Sequence, residues 1–253
     1  MIYDLQKAPF IKRLSAFLFD FIIWGVVAVG LAVLISAIVG YDDKLDALEN
    51  AYLRYETEYG ITLDISQEDY DKLTEAEKNQ YFLAEEAMKD DILIANLYYI
   101  VMSLTLLIIS IASLLSFALT ELLVPAFFKN GQTLGKKVFS IGVMRTDGVK
   151  VTFFQLFVRA ILGKHTVETM VPVLLLMMFF SGIVGIVGFG IAVLIVLLQI
   201  VFMIATHTNS AIHDLLAVTV VVDMNTQMIF ESNEQMIEYK KKRAEQAALA
   251  KPY

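Results

Sequence analysis

The sequence predicts an all-α polytopic membrane protein. The expected architecture is a four-helix transmembrane bundle with an extracytoplasmic acidic helical hairpin and a small cytoplasmic β-hairpin or sheet. Three observations lead there. The first is concentration of apolar residues. Hydrophobic residues make up 57% of the 253-residue chain; residues 14–39 hold one charge, Asp20, residues 92–128 hold one, Glu121, and residues 169–206 hold none. About 20 apolar residues suffice to cross the hydrocarbon core. The second is segregation of charge. Residues 41–91 carry 16 acids and 5 bases, whereas residues 129–165 carry seven bases against Asp147 alone. The third is a pair of β-rich runs, VFSIGVM and VKVTF, either side of RTDG, which is a hairpin signal.

The N-terminus and first span occupy residues 1–40, with the helix near 14–40. Lys7, Lys12 and Arg13 precede the apolar run, and Lys and Arg mark the cytoplasmic side. The run is longer than the 7–15-residue core of a signal peptide, so it is expected to stay as a span. Asp20 is the anomaly. A charge at bilayer depth costs at least ~2.5 kcal/mol, so other groups must compensate it. Arg13 and Asp20 are seven residues apart, nearly two turns, and share one helix face with Phe17 and Trp24. Along the axis they are about 10 Å apart, so each is expected to meet a different partner.

Residues 41–91 form the extracytoplasmic insert. Leu45, Leu48, Tyr52, Tyr55 and Tyr59 follow 3-4-3-4 spacing, one helical stripe, and Gly60 ends it. Thr74 with Glu77 fits a capping box, and Ser66 can cap the preceding turn. Helices over 43–59 and 67–90 are expected. Residues 64–75 fail as a calcium loop, because Tyr70 and Lys72 stand at ligand positions and the glycine is missing.

The second span is 92–128. Residues 129–165 make a cytoplasmic loop holding the β-hairpin and a short surface helix over 153–163. The third and fourth spans, in 166–206, are expected near 168–186 and 189–206, with a turn where four glycines fall between 182 and 190. One long helix there would move the basic run 240–243 outside, against the positive-inside rule. Residues 207–253 hold AVTVVV, a candidate third strand, and the basic tail.

The ionisable residues gather at one depth, the cytoplasmic boundary. Asp20, Glu121 and Asp214 are candidate ion-binding carboxylates. Arg13, Arg159, His213 and Glu168 are candidates for a polar network with them, and His165 and His207 are interfacial. His207 and His213 are six apart, poor spacing for a shared helical metal site, and no metal or other cofactor is expected. The absence of cysteine removes disulfides and thiolate chemistry. GQTLGKK, residues 131–137, lacks the spacing and hydroxyl of a phosphate loop. No nucleophile–base set is visible, so no enzyme is expected. The tail lysines read as topology anchors and lipid contacts, not as a nucleic-acid surface. No inverted repeat is visible.

These pieces occur in a recognisable order: Arg13 and Asp20 on helix one, GQTLGKKVFSIGVMRTDG after helix two, Arg159 in VRAILG, and HDLLAVTVVV with Asp214. The chain resembles the RDD family of bacterial membrane proteins over 8–40 and 92–223. The resemblance implies Arg13, Asp20 and Asp214 as signature residues, and Gly131, Thr133, Leu134, Gly135 and Lys136 as a loop motif. It implies a multi-pass protein of the bacterial plasma membrane, and the basic N-terminus, loop and tail put both termini on the cytoplasmic side as an expectation. Two functions are then open. One is transport of a monovalent cation or proton through the carboxylates, which with so few helices would need a homo-oligomer. The other is a non-catalytic regulatory subunit that binds another membrane protein, with the acidic insert or the tail as docking device.

Overall fold

The computed structural model describes residues 5–128, 130–180, 182–206 and 208–249. In chain order these form α1 (Phe10–Val39), α2 (Tyr41–Tyr59), α3 (Gln67–Asp71), α4 (Glu75–Asp90), α5 (Ile92–Phe128) and α6 (Leu134–Val138). Then follow β1 (Ile141–Arg145), α7 (Phe153–Phe180), α8 (Ile186–Ala205), α9 (Ile212–Ala217), β2 (Thr219–Asp223) and α10 (Asn233–Leu249). Helices α1, α5 and α7 are long and apolar enough to cross a membrane, and α8 holds a shorter apolar stretch, Ile186–Phe202. The chain divides into two compact units, residues 28–113 and residues 1–27 with 114–253. Helices α1 and α5 contribute to both.

In the first unit, α2 and α4 pair as a hairpin. The expected stripe is its core: Leu48, Ala51 and Tyr55 are buried, with Leu45, Tyr52 and Tyr59 packed round them. Gly60 ends α2 in the left-handed conformation, and Thr74 with Glu77 forms the reciprocal capping box at the start of α4. The expected helix 67–90 is broken between α3 and α4, because Thr74 starts a new helix where one was expected to continue. Asp91 accepts hydrogen bonds from Arg54, Tyr55 and the Leu93 amide, which ties the hairpin to the start of α5.

The second unit is built round a two-stranded sheet. Strand β1 pairs antiparallel with β2, Ile141 opposite Asp223 and Arg145 opposite Thr219. Both faces are covered. Ile141, Val143 and Val221 enter one buried cluster; Met144, Val220 and Val222 enter the other. This corrects the expected hairpin. The turn at RTDG exists, but among the described residues VKVTF contributes only two isolated bridges, Met144 with Lys150 and Val149 with Phe230. The physical reason is Thr152, which caps α7 in a capping box with Gln155 and draws the chain off the ladder. The open edge of β1 is filled by β2, and Ala8 donates to Val221 on β2's far side.

Two boundaries also move. The expected surface helix 153–163 is no separate element; it is the first part of α7, which runs on to Phe180. The glycine turn falls between Phe180 and Ile186, so Gly188 and Gly190 lie inside α8.

Two stretches of π-helix explain how α7 stays continuous through its polar part. They are Ala118–Leu123 in α5 and Val158–Met170 in α7. Each ends just before Val-Pro. Val124 donates to Leu119 and Val171 to Thr166, both five residues back, and Pro125 and Pro172 follow. Proline cannot donate to the residue four back and crowds its carbonyl; the wider i→i+5 ladder leaves that carbonyl room. In both helices that residue is a glutamate, within E-x-x-V-P at 121–125 and again at 168–172.

Candidate functional site

Asp20 is buried in α1, and its compensation comes from the 131–137 loop. Its Oδ1 accepts from the Gly135 amide at 2.7 Å, and its Oδ2 accepts from the Thr133 hydroxyl. Thr133 is also the N-cap of α6 and accepts from the Lys136 amide. Two directed donors at a helix start suit a carboxylate. Gly135 has to be glycine: a Cβ there would lie 2.4 Å from the Ala16 carbonyl oxygen and 2.9 Å from the Asp20 carboxyl. Gly131 sits in the preceding turn with φ +61°.

Asp214 is the centre of a second set. It sits on α9 with no exposed surface. Its Oδ1 accepts from Arg159 Nε at 2.8 Å and from Thr219 Oγ1 at 2.9 Å. Arg13 approaches Oδ2 at 3.6 Å while donating to the Asn209 carbonyl at 2.5 Å. His213 bridges outward, with Nδ1 2.8 Å from Glu168 and Nε2 3.1 Å from Arg159 Nη2. A carboxylate only accepts and a guanidinium only donates, so His213 carries its proton on Nδ1. Its Nε2 lone pair then serves Arg159 and offers nothing to Asp214 Oδ2, 3.5 Å away, and that oxygen has no hydrogen-bond partner. Burial alone would raise the Asp214 pKa, but the guanidinium groups of Arg159 and Arg13 outweigh it and hold the carboxyl well below its usual range. Gly163 lets α7 approach this closely, since a Cβ would lie 2.6 Å from that of His213.

Glu121 forms the third set. It is ion-paired to Lys164, with Lys136 at 3.9 Å. The π segments set this geometry. Arg159 and Lys164 are five apart, about 140° round an ordinary α-helix, but the i→i+5 ladder brings them toward one line, with Glu168 a turn further. Burial is the largest influence on Lys136 and pushes its pKa down to about 8; Glu121 opposes the shift, and Arg159 and Lys164 add to it.

These sets border one cavity of about 540 Å³. Arg13, Lys136, Arg159 and Lys164 line it, as do Asp20, Glu168 and His213. Glu121 and Asp214 lie behind their cations and not on the wall. Of the two aromatics on the Arg13–Asp20 face of α1, Phe17 lines the cavity and Trp24 does not. Instead Trp24 stacks on Phe21 and lies tilted against Phe117, and His165 packs on Phe117 at 5.0 Å. His207 lies outside the described residues. Among the described residues no cluster of acids, histidines or cysteines could hold a metal ion.

Lys164, Thr219 and Gln199 were not anticipated as site residues. A signal for Lys164 existed: the two E-x-x-V-P segments mark equivalent positions on two helices, and Lys164 precedes the second by one turn.

Comparison with curated proteins and with solved structures gave no match. Comparison with protein families matched the RDD family over residues 7–218. That span includes Arg13, Asp20, Asp214 and the whole 131–137 loop. The chain belongs to the RDD family and is a membrane protein.

Proposed function

We propose that this protein is a four-span module of the bacterial plasma membrane that regulates or stabilises a partner membrane protein. In this reading both termini and the sheet are cytoplasmic, as the basic 129–165 loop and 240–243 run support, and residues 41–91 lie outside. The observation that carries it is that all four carboxylates of the site are already committed. Asp214 is held by Arg159 and Thr219, Glu121 by Lys164, Glu168 by His213, and Asp20 by Thr133 and Gly135. Such a network locks α9 and the attached β2 onto α1 and α7. A cation carrier needs a carboxylate to spare. No catalysis is proposed.

Gentle-detergent purification of the tagged full chain should bring down another membrane protein in fixed stoichiometry. Recovery of the chain alone would count against the reading. Asp20→Asn should lower the melting temperature and leave ion flux unchanged.

Transport of a monovalent cation or proton is the second reading. One observation favours it: among the described residues Asp214 Oδ2 is buried without a hydrogen-bond partner. Proteoliposomes with a sodium or potassium gradient and a pH dye decide between the two. Cation-driven proton movement in wild type that Asp214→Asn abolishes supports transport; no flux in either supports the module.

A further inference from the structure

The wall of the cavity is unbalanced, although the site as a whole is not. Four cations face the space, Arg13, Lys136, Arg159 and Lys164, against Asp20 and Glu168. Both of those acids have both oxygens occupied, Asp20 by Thr133 and Gly135, Glu168 by the amide and Nδ1 of His213. Lys136 is the least satisfied cation. It is 93% buried, yet among the described residues its ammonium has only long contacts, 3.4 Å to Thr133 Oγ1 and 3.9 Å to Glu121. Arg13 reaches Asp214 only at 3.6 Å. A buried ammonium without close acceptors is costly, and an incoming anion would supply them.

The rest of the lining is apolar. Leu14 and Phe17 of α1 and Ile200 and Ile204 of α8 line the cavity and are also exposed on the outer surface of the unit. Helix α1 is long and apolar enough to cross a membrane and α8 holds a shorter apolar stretch, so this apolar mouth suits a lipid-facing opening. A basic pocket between membrane helices at the boundary is the recognised form of a lipid headgroup site, and the volume lies within the usual range for ligand pockets.

We propose that this cavity binds an acidic phospholipid. The phosphate sits against Lys136 and Arg13, and an acyl chain leaves between Leu14, Phe17, Ile200 and Ile204. Two cations of different shape suit a multiply charged phosphate, and the apolar exit suits a tail that a free anion lacks. The depressed Lys136 pKa fits a site whose counter-charge comes from the ligand. This proposal is independent of whether the protein carries ions or binds a partner.

The test uses the delipidated full chain in neutral detergent. Ligands are short-chain phosphatidylglycerol, phosphatidylcholine with the same tails, and inorganic phosphate, with binding read by native mass spectrometry and by melting temperature. Phosphatidylglycerol should bind at least about tenfold more tightly than phosphatidylcholine and raise the melting temperature; inorganic phosphate should do neither. Lys136→Met should erase the preference and Lys136→Arg should keep it. Equal binding of the two lipids overturns the proposal. So does a full effect from inorganic phosphate, which would make this a free-anion site. A folded Lys136→Met protein with undiminished preference also overturns it. The wild-type comparison of head groups decides even where a variant fails to fold.

Discussion

Asp214 is fully buried, and two guanidinium groups depend on it. Breaking a buried ion pair by removing one partner costs about 3–5 kcal/mol, because the other charge is stranded. Asp214→Ala should therefore lower stability by that order in detergent melting. Lys12→Met, which breaks the more exposed 2.7 Å pair with Asp223, should cost no more than about 1 kcal/mol. Equal losses would mean that the Asp214 network carries no special weight. Asp214 also sets an acid limit. Its pKa lies below the ordinary 3.8, so its contribution is present above that value and fades as pH falls through the folded one. Lys136 acts with the same sign, but in the alkaline range. It titrates at about 8 in the fold against 10.5 free, so between those values the unfolded chain holds more protons and stability rises with pH. Wild type should gain a few kcal/mol relative to Lys136→Met across that window, measured as the difference between their melting curves at pH 8 and pH 10.5.

At the scale of elements, the two π segments give a sharp test. Removing an interior proline from a helix normally stabilises it, by about 3 kcal/mol. Here Pro172→Ala should destabilise, because an ordinary α ladder through Glu168 would turn Arg159 and Lys164 away from Asp214 and Glu121. A melting temperature above wild type would show that the π geometry does not serve the network. Gly135→Ala should cost about 1–3 kcal/mol, as overpacking does, since its methyl meets the Ala16 backbone. What could be read from the sequence divides along the same lines. The stripe 45–59 and the caps at Ser66 and Thr74 were legible, because periodicity and capping are local. Arg13, Asp20 and Asp214 stood out as charges in or beside apolar runs. The β1–β2 pairing was not legible, because 73 residues separate the end of β1 from the start of β2 and a nearer run had equal β-propensity. The extent of α7 was missed because its 158–170 stretch looks too polar for a span until its partners, on α1, α5 and α9, are known.

At the scale of the whole molecule, the proposed topology can be tested segment by segment. The chain has no cysteine, so single substitutions can report the side of each segment. Glu58→Cys should react with an impermeant maleimide added outside intact cells, and Ser232→Cys only after lysis. Labelling of both from outside would refute the four-span arrangement. The order in which the network is completed has a consequence for biogenesis. Arg13 leaves the ribosome early and Arg159 midway, but their shared counterion, Asp214, and the strand that follows it come from the final quarter of the message. A nascent product stopped at residue 209 would hold two guanidinium groups without the counterion they share, next to an unfilled strand edge. Such a fragment should be cleared by membrane proteases within minutes in a pulse-chase experiment, while one stopped at residue 232 should persist. On that outcome Asp214, the last of the site's acids to be made, marks a chain whose network is complete.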